Sequence, residues 1–265
     1  MIKFLLDSGD PDEYREIAAL VKERGKARLP TPGTGGQELW GATTNPTLIA
    51  KKLTGQKITR DEAFALQKKI VLEILDIVEG AVSAEVYADT NTQADEMISQ
   101  GKEIAAWHDR IVVKLPTTIE GFKARTELRR NGFLTNNTLV FSQQQIFAIC
   151  LHEQIVRKEF SLEEPLWPPF ISPFVGRLDD IGLQGMLVTA PAKVYRDYFQ
   201  GIQASTKEIR LQPIPYWEPS EELLKIETVD GFMEAITSGK LDLHHDLTDK
   251  GIIRFSDDWN SLMSS

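Results

Sequence analysis

Short apolar runs, each followed by a longer amphipathic stretch, recur along most of this sequence, and that order limits the fold more than any other feature. Parallel strands need a crossover between them, and helical crossovers cover the faces of the sheet they connect, so the pattern reads as wound β/α units. The runs expected as strands are 2–6, 39–42, 81–84, 111–113, 133–138, 169–172, 208–214 and 224–229. The stretches expected as helices are 11–22, 61–78, 90–107, 122–130, 143–158, 192–199, 232–236 and 255–263. Asp10 and Pro11 mark the first helix as cap and first helical residue. The window 208–214 is the least strand-like, because it contains Pro213 and is followed by Pro215. Residues 29–36 hold two prolines and three glycines and read as an exposed loop, a lid or an interface.

About eight strand candidates in 265 residues fit a single-domain (β/α)8 TIM barrel of the α/β class spanning 1–265. An open doubly wound sheet fits less well, since no GxGxxG or Walker-type loop is present. Hydrophobic residues make up 42% and charged residues 26%, enough apolar material for a substantial core. The formal charge of -9 argues against nucleic acid and anionic membranes as partners, both of which need a basic surface. A phosphorylated ligand would have to be met by a local basic cluster.

Cys150 is the only cysteine, so no intrachain disulfide forms and a cytoplasmic location is the default expectation. Its place in an apolar helix predicts a buried thiol. The N-terminal apolar run is too short for a signal peptide, and no segment approaches the roughly 18 apolar residues of a membrane span. His244 and His245 lack a third ligand at metal-binding spacing and read as a loop pair. The tryptophans are scattered, which suits packing or rim positions.

In a parallel barrel the site forms where strands end and βα loops begin. Here the first strand ends in Asp7, the second runs into Thr43, Thr44 and Asn45, the third ends in Glu85, the fourth in Lys114 and the fifth in Asn136, Asn137 and Thr138. Desolvation at such a place favours a neutral lysine amine, a nucleophile toward a ketone or aldehyde. The alternative is that Lys114 snorkels to the rim or serves as a plain cation for phosphate. Asp7 is either an ion-pair partner of the lysine or a general base, and Glu85 poses the same choice. Asn45, Asn136 and Thr138 suit a polyol, and equally suit capping or loop backbone.

Together these segments resemble the transaldolase family, related to the fructose-6-phosphate aldolases. The motifs stand in order: FLLDS at 4–8, GATTNPTLI at 41–49, VSAEV at 82–86, VVKLPTT at 112–118, NNTLVFS at 136–142, ISPFVGRLDD at 171–180 and LTDKGI at 247–252. The resemblance implies a barrel needing no cofactor and no metal, in which Lys114 attacks a ketose, Asp7 takes the proton of a sugar hydroxyl, and a dihydroxyacetone unit remains as an enamine before transfer to an aldose. It further implies that Glu85 and Thr138 hold the exchanged water and that Thr43, Asn45 and Asn136 line the three-carbon unit. Ser172, Phe174 and Arg177 fall on the substrate side. The expected partners are sugars or sugar phosphates in a pentose-phosphate type reaction, with a homo-oligomer left open.

In the related aldolases an amide stands at the Glu85 position and a tyrosine orients the water; the carboxylate here, with Phe174, favours transfer. The departure lies in 204–223, where the family's phosphate-gripping arginine is replaced by two imperfect registers, one ending in Lys207 and one carrying Arg210. That leaves open an aldolase or a specialised enzyme for an unphosphorylated sugar, or a sugar-binding barrel without catalysis.

Overall fold

The computed structural model describes residues 3–28, 39–51, 57–163, 170–173, 187–190, 192, 196 and 216–263. Seven described strands form one sheet: β1 (Lys3–Asp7), β2 (Leu39–Thr43), β3 (Val82–Glu85), β4 (Ile111–Pro116), β5 (Thr135–Val140), β6 (Phe170–Pro173) and β7 (Leu187–Ala190). The helices are α1 (Pro11–Arg28), α2 (Pro46–Lys51), α3 (Arg60–Leu75), α4 (Ala94–Ala105), α5 (Ile119–Arg130), α6 (Gln143–Glu159), α7 (Glu221–Leu224), α8 (Val229–Thr237) and α9 (Asp246–Asn260). Neighbouring strands follow the order β6-β5-β4-β3-β2-β1-β7, and every pair is parallel.

Alternation along each strand sorts the side chains into two layers. Leu6, Val82, Ala84, Val113 and Leu115 face outward, in one apolar cluster with Ile17 and Val21 of α1, Ile70 and Ile74 of α3, and Met97 and Ile104 of α4. Leu5, Ala81, Val112 and Phe170 face inward and form a separate apolar floor with Trp40. The sheet is strongly curved. β2 and β6 stand four strand spacings apart, about 19 Å in a flat sheet, yet the rings of Trp40 and Phe170 have centroids 6.1 Å apart.

Helix starts follow local chemistry. Asp10 Oδ1 accepts from the Asp12 amide at 3.0 Å, and capping boxes at Thr59/Glu62 and Ser142/Gln145 open α3 and α6. α5 and α6 are joined by a buried polar cluster: Glu153 receives Arg125 Nη2 at 2.8 Å and Arg129 Nη2 at 2.7 Å. Arg125 also contacts His152 Nδ1, while His152 Nε2 lies 2.8 Å from Thr126 Oγ1, which donates to the Phe122 carbonyl at 2.9 Å. A neutral His152 protonated on Nε2 satisfies that whole chain, and burial beside two arginines holds its pKa well below the ordinary histidine value.

Three expectations are corrected, and one strand is added. The window 224–229 is no strand: Ser220 caps α7 and Thr228 caps α8, and Leu224 is 60% exposed, which a buried strand forbids. β7 at Leu187–Ala190 was not anticipated, being only four residues long, and it pairs with β1. The C-terminal helix begins at Asp246, not 255, because the His245 side chain caps it by accepting from the Leu247 amide at 3.2 Å. Cys150 is exposed, since it shares with Gln154 and Lys158 the face of α6 opposite its buried residues. The expected strand at 208–214, most of the helix at 192–199 and the loop at 29–36 lie outside the described residues. Arg196, within that helix window, pairs with Glu16 at 2.6 Å and Glu13 at 3.3 Å. Among the described residues, no helix is long and apolar enough to cross a membrane.

Candidate active site

The inward layer changes character along the strands, from the apolar floor to a polar rim at the C-terminal ends. Two residues beyond Leu5 on β1 stands Asp7, two beyond Val112 on β4 stands Lys114, and two beyond Phe170 on β6 stands Ser172. Register then aligns them across strands, with Glu85 opposite Lys114, Lys114 opposite Asn136, and Thr138 opposite Ser172. Because parallel neighbours in register point to the same face, these side chains have to meet.

Lys114 is 2% exposed, so it does not snorkel. Its Nζ lies 3.0 Å from Glu85 Oε2 and donates to the Thr44 carbonyl at 3.0 Å. Burial raises the Glu85 pKa above its ordinary value; the Lys114 charge and hydrogen bond oppose the shift, and the Asp7 charge adds to it. The two carboxylates therefore differ in their contacts. Glu85 is the ion-pair partner, while Asp7 accepts from Thr43 Oγ1 at 2.7 Å and, over a long 3.5 Å, from Asn45 Nδ2.

Asn136 and Ser172 are tied together. Asn136 Nδ2 donates to Ser83 Oγ at 3.1 Å, and Ser172 Oγ donates to Asn136 Oδ1 at 3.0 Å. Thr138 is fully buried, with no hydrogen-bond partner for its Oγ1 among the described residues. Asp7, Thr43, Asn45, Glu85, Lys114, Asn136, Thr138 and Ser172 thus share one rim. Phe174, Arg177, Lys207 and Arg210 lie outside the described residues.

Backbone geometry just past Thr138 is unusual. The β5–β6 register slips between Thr138 and Val140, leaving Leu139 as an extra residue, and Leu139 has φ 58°. A residue with a side chain pays about 1–2 kcal/mol for that left-handed conformation, which glycine adopts freely. Bulges of this kind re-aim side chains at barrel rims.

The family model described as transaldolase/fructose-6-phosphate aldolase matches residues 35–210, well over half of the chain. The chain belongs to this family. Among its relatives, a "Probable transaldolase" of Chlorobaculum parvum is 38% identical over 82% of this chain and 87% of its own length. Another of Prosthecochloris aestuarii is 32% identical over the whole of both chains. A third, of Thermoanaerobacter sp., is 33% identical over 97% of each. The chain is accordingly an enzyme of transaldolase/aldolase type.

Four parts of this family member's site were missed in the sequence. Ser83 orients Asn136, and its place two residues before Glu85 on one face was a usable signal. Gln67 Nε2 donates to the Glu85 carbonyl at 2.8 Å from α3. The buried Tyr14 hydroxyl lies 2.9 Å from the Leu6 carbonyl and 3.2 Å from that of Thr43, bracing β1 and β2 beside Asp7. The Thr44 carbonyl on Lys114 has no sequence signal, because any residue supplies one.

Proposed function

We propose that this chain is a transaldolase that moves a dihydroxyacetone unit from a ketose to an aldose through a Schiff base on Lys114. In this reading it folds as one closed eight-stranded barrel over residues 1–265. The observation that carries the reading is the buried Lys114 amine, held 3.0 Å from a carboxylate whose proton affinity is raised.

The ammonium of Lys114 must lose a proton before it attacks, and Glu85 is placed to take it; its raised pKa lessens the uphill transfer. The neutral amine adds to the ketose carbonyl, the π pair moving to oxygen, and the proton that the nitrogen then sheds passes to that oxygen to give a carbinolamine. Return of a proton to that hydroxyl expels water and leaves a protonated iminium. Glu85 and Thr138 manage this water.

Asp7 then removes the proton from the hydroxyl on the far carbon of the breaking bond, the carbon β to the iminium. The O–H pair becomes the carbonyl of a departing aldose, and the carbon–carbon pair flows into the iminium as an enamine. Attack of the enamine on a second aldose reverses the sequence. Thr43 fixes Asp7, while Asn45, Asn136 and Ser172 hold the hydroxyls of the three-carbon unit. Phe174 and Arg177 complete the substrate side, and the substrates are ketose and aldose phosphates of the pentose-phosphate type. Glu85 being a carboxylate, with Phe174 closing the Ser172-Pro173-Phe174 motif, favours transfer over free aldol cleavage.

The test is reduction with borohydride during incubation with fructose 6-phosphate, followed by peptide mapping. A three-carbon adduct on Lys114 is expected, discharged when erythrose 4-phosphate is added before the reductant. Absence of an adduct with every ketose tried, phosphorylated or not, overturns the Schiff-base reading. Steady release of free dihydroxyacetone without an acceptor reassigns the chain as an aldolase.

A further inference from the structure

The most unusual backbone near the rim belongs to Leu139, and what holds it comes from the far end of the chain. The two carbonyls flanking this residue are each fixed by a threonine hydroxyl. Thr117 Oγ1 donates to the Thr138 carbonyl at 2.7 Å, and Thr248 Oγ1, on α9, donates to the Leu139 carbonyl at 2.8 Å. Gln145 Nε2 donates to Thr248 Oγ1 at 2.9 Å, which directs the threonine proton toward Leu139. The Gln145 Oε1 in turn accepts from the Phe141 amide at 2.7 Å.

Side-chain packing reinforces the clamp. Leu139 is buried with Phe141, Ile252 and Phe255, the last two on α9. A Cβ at Gly251 would stand 2.5 Å from Leu139 Cδ2, so this helical glycine is what lets α9 approach so closely. Glycine would satisfy the backbone at position 139 without strain. What leucine adds is an anchor to α9.

We infer that α9 positions the Thr138 hydroxyl for the water step, acting through the left-handed bulge at Leu139, and that Leu139, Thr248 and Gly251 are positioning residues of the reaction. The inference rests on the Schiff-base reading of the site. With both peptide planes around Leu139 held and Thr138 itself paired in the sheet with Pro116 and Ser172, the Thr138 backbone cannot turn, and a β-branched residue has few χ1 choices left. Its hydroxyl, buried without a protein partner among the described residues, is thereby aimed by contacts that span more than a hundred positions of sequence.

The experiment compares the full chain with Thr248→Val, Thr248→Ser and Leu139→Gly, by steady-state kinetics and by the rate of borohydride-trappable adduct formation from fructose 6-phosphate. Thr248→Val is expected to lower kcat and the adduct rate about tenfold or more, with KM little changed, the size of effect small displacements of catalytic groups produce. Thr248→Ser restores both rates. Leu139→Gly keeps the backbone conformation, loses the anchor and shows the same fall, which serves if Thr248→Val does not fold. In a Thr138→Val background, Thr248→Val and Leu139→Gly should add almost nothing, because they act through the hydroxyl already removed. An undiminished effect in that background, or wild-type rates in the folded variants, overturns the inference and leaves the Schiff-base reading standing. Failure of the wild-type chain itself to form an adduct overturns both.

Discussion

Glu85 and Lys114 together illustrate how one residue's surroundings set its chemistry. A carboxylate in water would be a poor acceptor for an ammonium proton, but burial raises the proton affinity of Glu85 while Lys114 pulls it back. The same shift has a consequence for folding. A carboxyl whose pKa is higher in the folded than in the unfolded chain binds its proton more tightly when folded. Its favourable contribution is therefore complete below the ordinary value of about 4.3 and is lost as pH rises through the raised value. The stability of the wild type relative to Glu85→Gln should decline as pH climbs through this window. Urea unfolding of both proteins at a series of pH values measures it, and a difference independent of pH would show that Glu85 is not perturbed. In the kinetics, the acid limb of kcat/KM that belongs to Glu85 should lie above the ordinary carboxylate range and vanish in Glu85→Gln.

Between elements, polar contacts decide as much as apolar ones. The α5–α6 pair buries two guanidinium groups against the single carboxylate of Glu153, and Arg129 Nε adds a contact to it at 3.1 Å. Burial lowers the Arg125 pKa to about 10, with Glu153 as the chief opposing influence. Removing the shared acceptor leaves two buried cations unpaired, so Glu153→Ala is expected to cost about 3–5 kcal/mol, to be read from denaturant midpoints. A loss below 1 kcal/mol would mean that water or another group takes over the pair. One cap, Asp10, was read from the sequence; Thr59, Ser142 and Thr228 also cap helices, and Thr228 does so inside the window expected as a strand. Where reading failed, packing had overridden propensity. Gly251 inside α9 argues locally against a helix, yet it is required there by the approach to Leu139.

For the molecule as a whole, α9 is the element that joins the end of the chain to the site. It packs on α2 and β5; Asp258 receives the Thr47 hydroxyl, and Asn260 Nδ2 donates to the Tyr87 hydroxyl at 3.1 Å, two residues past Glu85. Ending the chain after His245 should uncover Leu139 and Phe141, abolish transfer and increase binding of a hydrophobic dye; a truncated chain as active as the full one would show that α9 is dispensable. Much of this architecture was readable in one dimension. The order of apolar runs placed Asp7, Asn45, Glu85, Lys114, Asn136 and Thr138 at successive strand ends, and ordered motifs indicated the family and with it Ser172, because both depend only on local spacing. Tertiary structure alone decided that Glu85 and not Asp7 pairs with Lys114, that β7 lies beside β1, and that Leu139 takes a left-handed turn under α9. Each of those outcomes is set by register or by contacts between residues far apart in the chain, and no local window of sequence contains both partners.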